Sequence, residues 1–246
     1  MDRSSAKYKY LDMDTTLQHI AIIPDGNRRW AKKHDLQSKD GHGEGFKRVK
    51  DLIDQAFERD IKYLSFWGSS LTNLQKRPSQ EVYHLYQGFK TYFHQLLTDT
   101  KVHKNKMKVR VLGRWREKFP PDVVALINKV IQSTKDYEAY HLTFFLGYNG
   151  DEEMCQAVQS IVNQAQEHSV KVTPELIKAH LYTKDLPPVD MLIRTGYEPH
   201  NSVGFMMWDV ANAQLFFPEL HFPDFTPERF TQVINDYYVR ERRHGK

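Results

Sequence analysis

Asp25 ends a short apolar run in the stretch HIAIIPDGNRRWAKK, His19 to Lys33, and is followed by Gly26, Asn27 and the cations Arg28, Arg29, Lys32 and Lys33. An apolar run of this length fits a buried strand, Asp-Gly-Asn permits a tight turn, and the basic residues fit the opening of a helix. Open α/β sheets hold their ligands at such strand ends. One carboxylate among cations suits a magnesium-chelated polyphosphate better than a neutral substrate, because magnesium takes few protein carboxylates and shares phosphate oxygens with its ligand. The competing reading is an Asx turn capping a helix with a solvated basic face, and the segment taken alone favours it.

Other groups with chemical capacity follow further apolar runs. After KYLSFWG (62 to 68), the segment GSSLTNLQKRP carries the hydroxyls of Ser69, Ser70 and Thr72, the amide of Asn73 and the cation Arg77. These groups can hold a diphosphate or orient a leaving group, although Ser, Thr and Asn are also ordinary turn formers. In KDGHGEG, His42 sits between glycines ahead of a helical pattern, where a protonated or donating imidazole is a phosphate ligand; a lone surface histidine is the commoner case. RTGYEPHNSVG offers Arg194, Thr195, His200 and Ser202, and the basic ending RERRHG (240 to 245) offers guanidinium forks or a solvated tail. Each has a plain alternative. Their common position beyond strand ends is what joins them.

The elements that must position these residues are legible as alternating patterns. Apolar β-type runs recur at 20 to 24, 62 to 68, 107 to 113, 141 to 148, 189 to 195 and 214 to 217. Helical spacing links Phe46, Val49, Ile53, Ala56 and Phe57, then Val82, Leu85, Tyr86, Phe89, Phe93 and Leu96, then Val123, Leu126, Ile127, Val130 and Ile131. Strands alternating with helices imply a mainly parallel sheet covered on both faces. The aromatic stripe between residues 79 and 100 is read as core packing, with the lining of an apolar pocket as its alternative.

Composition sets the outer bounds. With 246 residues, 40% hydrophobic and 27% charged, the chain can bury a full core as one α/β domain and lacks the composition of a disordered protein. A single domain over 1 to 246 is expected, with a polar N-terminal extension at about 1 to 17 and a basic tail at about 240 to 246. A formal net charge of +4 and a pI near 8.9 admit phosphates, lipid headgroups or nucleic acid without choosing among them. No nucleic-acid recognition motif is present, so a nucleic-acid partner is not expected. Cys155, the one cysteine, excludes an intramolecular disulfide and a cysteine-rich zinc site, and is expected as a buried filler in a cytoplasmic protein. The polar start is not a signal peptide, and no apolar run approaches the ~20 residues of a membrane span, so membrane contact would be peripheral.

Taken in order, HIAIIPDGNRRWA, a GH pair before a helix, SSxxN followed by RP, DMLIRTG with Trp208 downstream, FPDF (222 to 225) and RERRHG resemble the cis-prenyltransferase family, of which undecaprenyl diphosphate synthase is the best-known activity. The resemblance spans nearly the whole chain. It implies an α/β fold with a central six-stranded, mostly parallel sheet flanked by helices, an elongated hydrophobic tunnel, a homodimer, and condensation of isopentenyl diphosphate with an allylic diphosphate to form a cis double bond. Under it, Asp25 would hold a Mg2+-diphosphate group. Gly26, Asn27, Arg28 and Arg29 would cradle the allylic diphosphate, with Trp30 packed nearby and Ser38 and His42 adjoining. Ser70, Leu71, Thr72 and Leu74 would flank Asn73, the candidate for assisting proton removal, and Arg77 would contact the allylic substrate or support its loop. Arg194, with His200, Asn201 and Ser202, would bind isopentenyl diphosphate, joined by Arg242 of a second subunit.

The departures from the family pattern are specific. Ser38 stands where an arginine is usual, with Lys39 as its potential substitute; Leu74 replaces a tryptophan, His200 a second arginine and Arg28 a glycine; and one residue is inserted before Trp208. Gln214 replaces a glutamate expected to reach the metal, and a neutral amide is a poorer magnesium ligand than a carboxylate. These changes bear on the second substrate site and the metal shell more than on the allylic site. They leave two alternatives: an enzyme that couples or cyclises allylic diphosphates, and a non-catalytic subunit or lipid-binding protein of the same fold.

Overall fold

In the computed structural model, which describes residues 16 to 240, the alternating patterns become β1 (His19–Ile23), α1 (Asn27–Lys33), α2 (Ser38–Glu58), β2 (Tyr63–Ser69), α3 (Leu71–Lys76), α4 (Ser79–Thr98), α5 (Thr100–Lys104), β3 (Met107–Leu112), α6 (Trp115–Lys118), α7 (Pro121–Thr134), β4 (Tyr140–Leu146), α8 (Gly150–Glu167), α9 (Pro174–His180), β5 (Met191–Arg194), β6 (Gln214–Phe216), a 3-10 turn (Phe222–Asp224) and α10 (Pro227–Val239). The six strands form one sheet in the order β3-β4-β2-β1-β5-β6. Every pairing is parallel, so the sheet is parallel throughout rather than mostly so.

Central β1 is buried along its whole length, which is why its sequence is a continuous apolar run rather than an alternating one. Ile20 and Ile22 face a large core shared with α2, α4, α7 and α10. Ala21 and Ile23 face a smaller one with Phe145, Tyr148, Leu192, Phe205 and Met206. Strand periodicity of two sorts these neighbours onto opposite faces. Cys155 on α8 is exposed, contrary to the expected filler, because α8 buries Glu153, Ala157 and Ile161 instead.

The chain leaves β1 toward β2 on one side and leaves β5 toward β6 on the other. Adjacent strands whose connections diverge open a crevice beyond their carboxyl ends. The register pairs Ile23 with Arg194, so the residues after β1 and β5 meet there.

Candidate active site

Pro24 ends β1, and Gly26 adopts φ 101 as it turns the chain into α1. A side chain at position 26 would be strained by that φ and would meet the His221 ring at 2.6 Å. The turn presents the Asp25 carboxylate to three donors. Gly26 N–H donates to Oδ1 at 2.6 Å, Arg29 Nη2 to Oδ1 at 3.2 Å, and Arg194 Nη2 to Oδ2 at 2.9 Å. The Asp25 backbone is fixed as well. Its N–H donates to Thr195 Oγ1 at 3.0 Å, the Thr195 hydroxyl donates to its carbonyl at 2.8 Å, and Phe222 N–H donates to the same carbonyl at 3.0 Å. This is not the solvated Asx cap of the competing reading: a carboxylate one-third exposed is locked to a guanidinium, Arg194, that is 7% exposed.

A second carboxylate contacts three of the groups around this space. Glu81 on α4 lies 3.6 Å from Arg28, 3.4 Å from Arg77 and 3.9 Å from His42. His42 Nε2, Arg77 Nε and Glu81 Oε1 are all buried without a hydrogen-bond partner, a concentration of unmet polar capacity at one spot. Burial, reinforced by Arg77 and Arg28, lowers the His42 pKa to about 4, so the ring is neutral at pH 7 and not the imidazolium the sequence left open.

Beyond β2, Ser70 caps α3 by accepting from Asn73 N–H at 2.8 Å. Asn149 clamps the same turn, accepting from Leu71 N–H at 3.1 Å and donating to Thr72 Oγ1 at 3.3 Å. Ser70, Leu71 and Thr72 thus fix the turn that carries Asn73, Leu74 packs against the core, and none of the four lines the cavity.

On the other side of the crevice, Arg194 Nη1 donates to the His200 carbonyl at 2.9 Å. The His200 side chain is exposed and lies 3.8 Å from Glu198, and Asn201 donates to Phe205 O at 3.0 Å. Of the segment from His200 to Ser202, Ser202 lines the cavity and the other two do not. The segment is latched from behind. Gly150 N–H donates to Val203 O at 2.8 Å, and a Cβ at Gly150 would stand 1.9 Å from Gly204 O. The buried Tyr148 hydroxyl donates to Glu153 at 2.5 Å and accepts from Met206 N–H at 3.2 Å.

These groups surround the mouth of a cavity of about 1180 Å³. Asp25, Asn27, Arg28, Arg29, Ser38, His42, Asn73, Arg77 and Arg194 line its polar end; Phe46, Val49, Phe66, Leu85, Phe89, Tyr92 and Phe144 line its apolar end. The aromatic stripe of α4 therefore meets both expectations. Leu85, Phe89, Phe93 and Leu96 all pack in the core as read from sequence, and Leu85 and Phe89, with Tyr92, also line the cavity. Trp30 turns away, its indole donating to Asp224 at 2.7 Å, and Lys39 is exposed. Arg242 lies outside the described residues.

Gln214 is the clearest correction. It pairs with Met191 at the opposite end of β5 from Arg194, roughly 10 Å down a parallel strand, and donates to Tyr237 O at 3.4 Å. One copy of the chain therefore does not bring Gln214 and Asp25 into one metal shell. Among the described residues no group of three His, Cys, Asp or Glu side chains could hold a metal. The donor set fits magnesium in the form that keeps its waters and binds through one carboxylate and substrate phosphates, with Asp25 as that carboxylate.

Sequence reasoning missed Glu81, Glu198, Asn149 and the Tyr148–Glu153 latch. Glu81 lies four residues beyond Arg77, but Pro78 ends the helix between them, so their contact comes from the α3–α4 turn and not from helical spacing. Asn149 meets Leu71, Glu198 meets Arg29 and Tyr148 meets Met206 across tens of residues of chain.

The prenyltransferase family model for undecaprenyl diphosphate synthase matches residues 23–245. A tritrans,polycis-undecaprenyl-diphosphate synthase (geranylgeranyl-diphosphate specific) of Pyrococcus furiosus is 34% identical over 232 residues, covering 93% of this chain and 87% of that protein. An isoprenyl transferase of Deinococcus radiodurans is 34% identical over 236 residues, covering 93% and 85%. Among solved structures, a lavandulyl diphosphate synthase from Lavandula x intermedia in complex with dimethylallyl diphosphate superposes with a TM-score of 0.87 at 24% identity, covering 94% of this chain and 99% of that one. That likeness establishes the fold.

Proposed function

The chain belongs to the undecaprenyl diphosphate synthase family of prenyltransferases, and from that premise we propose that it extends an allylic diphosphate by condensation with isopentenyl diphosphate, forming a cis double bond and releasing diphosphate, with Mg2+ required. The observation that carries this reading is the cavity, whose mouth is lined by guanidinium groups around Asp25 and whose interior is lined by aromatic and aliphatic side chains. Such a site suits a ligand with an anionic head and a long apolar tail. The reading extends to a homodimer.

In the proposed reaction the allylic diphosphate lies against Gly26, Asn27, Arg28 and Arg29, and its prenyl tail enters the apolar end. Isopentenyl diphosphate binds at Arg194 and Ser202. As the allylic carbon–oxygen bond breaks, Arg29, Arg77 and Arg28 stabilise charge accumulating on the departing diphosphate. The magnesium ion, when bound at Asp25, adds neutralisation of the same oxygens. The new carbon–carbon bond joins the allylic carbon to the terminal carbon of isopentenyl diphosphate. The proton whose loss completes the double bond passes to the released diphosphate, and Asn73, fixed through Ser70, orients the groups for that transfer. The apolar walls keep water from the allylic cation.

Incubation of pure protein with farnesyl or geranylgeranyl diphosphate, labelled isopentenyl diphosphate and magnesium is expected to give extended prenyl diphosphates. No extension across a panel of allylic primers would refute the reading. One observation favours a second reading, coupling of two allylic diphosphates: the His200 side chain, at the position of the family's second arginine, points out of the site. Product analysis with dimethylallyl diphosphate alone separates the two.

A further inference from the structure

The segment that carries Ser202 continues in a backbone that its residues do not favour. Val203, Gly204 and Met206 have φ of 43°, 62° and 48°. A positive φ suits glycine, is uncommon for methionine and is an outlier for a β-branched residue such as valine. Conformations of this kind persist only where the surroundings over-determine them. The backbone is held at several points: Gly150 N–H donates to Val203 O at 2.8 Å, Phe205 N–H to Ser202 O at 2.9 Å and Asp209 N–H to Met206 O at 2.9 Å. Phe205 and Met206 are fully buried.

Behind the segment, polar groups close a ring. Met206 N–H donates to the Tyr148 hydroxyl, that hydroxyl donates to Glu153, and Glu153 also accepts from Thr183 N–H at 3.3 Å. Lys178 Nζ on α9 donates to Thr183 O at 2.6 Å, to Thr183 Oγ1 at 3.2 Å and to Asp209 Oδ1, and the Asp209 backbone leads back to Met206. The Asp209 carboxylate is 2% exposed, and Lys178 is its one ion-pair partner among the described residues. Burial raises the pKa of Asp209, and the hydrogen bond from Lys178 opposes that shift. α9 has no buried residue of its own; the group it sends inward here is the ammonium.

We infer that Lys178 is a positioning residue for the isopentenyl diphosphate half of the site: its pairing with Asp209 closes the ring and holds residues 203 to 206 in their strained form, which keeps Ser202 at the cavity and the His200 carbonyl on Arg194. This rests on the reading that isopentenyl diphosphate binds at Arg194 and Ser202. Without the ammonium, the Asp209 carboxylate is buried and uncompensated, which is strongly unfavourable. Movement of the turn toward water relieves that carboxylate and the positive φ of Val203 together, so both draw Ser202 away from the cavity. Lys178 itself does not line the cavity, and its effect on the substrate passes through the backbone.

The test compares Lys178→Met, the double variant Lys178→Met with Val203→Gly, and Ile161→Ala, a control that removes a buried side chain of α8 away from the ring. Steady-state kinetics give KM for each substrate, and hydrogen exchange read by mass spectrometry reports local opening without any need for turnover. Lys178→Met is expected to raise KM for isopentenyl diphosphate roughly tenfold, the scale of a displaced binding group. KM for the allylic primer is expected to stay within about twofold, since its cradle on α1 is untouched. Exchange is expected to quicken over residues 200 to 210 and to keep its wild-type rate over residues 20 to 33. Adding Val203→Gly, which lifts the steric cost of the positive φ, is expected to bring KM for isopentenyl diphosphate back toward the wild-type value. Ile161→Ala is expected to lower the melting temperature and to leave both the ratio of KM values and the exchange of residues 200 to 210 as they are. If Lys178→Met does not fold, Lys178→Gln removes the charge while keeping a donor and is read the same way. An equal rise in both KM values, unchanged exchange over residues 200 to 210, no recovery with Val203→Gly, or the same pattern in Ile161→Ala would overturn the assignment. Absence of product from the wild type would overturn the proposed reaction instead, and hydrogen exchange would still decide whether Lys178 holds the turn.

Discussion

Replacing Asp25 by Asn keeps the size and acceptor geometry of the side chain and removes its charge, so it isolates what that charge does. One oxygen faces Arg194, whose side chain is 7% exposed, at 2.9 Å; the other faces Arg29, which is 45% exposed, at 3.2 Å. Breaking a fully buried ion pair costs about 3–5 kcal/mol. Here the carboxylate is 32% exposed and the amide oxygen can still accept from Arg194, so we expect roughly 1–2 kcal/mol of stability to be lost, a fall of about 2–8 °C in Tm. The effect on turnover is expected to be larger. A preorganised group that stabilises charge developing in the transition state is worth about 10²–10³ in kcat, or roughly 2.7–4 kcal/mol. The assay is kcat/KM for labelled isopentenyl diphosphate with a saturating primer, measured on Asp25→Asn, Arg194→Gln and the double variant. If Asp25 acts on the substrate head group as well as on Arg194, Asp25→Asn still lowers turnover substantially in the Arg194→Gln background. If its only task is to neutralise Arg194, the double variant is no worse than Arg194→Gln. That outcome, or an Asp25→Asn variant retaining more than about a tenth of wild-type kcat/KM, would refute the assignment.

Three further outcomes follow from the same geometry. Burial with Arg77 and Arg28 lowers the His42 pKa from 6.5 to about 4, so between those values the unfolded chain binds more protons and stability falls as the pH falls. Across the whole window this amounts to about 3 kcal/mol, and His42→Asn is expected to remove that share of the slope in urea unfolding measured from pH 7 to pH 4; an unchanged slope counts against it. Tyr148→Phe breaks the latch to Met206 and Glu153 and is expected to destabilise the protein by about 1–3 kcal/mol while raising KM for isopentenyl diphosphate more than KM for the primer. Equal rises in both KM values would mean that the latch does not act on the segment from His200 to Ser202. Gln214→Glu is expected to leave the half-saturating magnesium concentration within about twofold, because a group at the far end of β6 does not share a shell with Asp25. A markedly lower magnesium requirement would show that a second subunit brings position 214 to the metal.

The order of strands and helices was written in the residues themselves. Continuous apolar runs such as IAII fit burial on both faces, helical spacing marks α2, α4 and α7, and Asp-Gly-Asn after Pro24 permits a tight turn. These are local demands of backbone geometry and of apolar surface, so a reader of the chain can meet them. The chemistry-bearing residues after β1, β2 and β5 were visible for the same reason, since each ends a recognisable strand. What the chain could not disclose was which of them meet. Asp25 and Arg194 are 169 positions apart and touch only because β1 and β5 are parallel neighbours in register. Gln214 sits only twenty positions after Arg194, yet the direction of β6 carries it to the other end of the sheet. Phe89, Tyr92 and Phe93 share one face of α4, and which of them also borders the cavity depends on what stands opposite each ring. Periodicity fixes the face a residue occupies; only the tertiary arrangement decides whether that face meets protein or an open space.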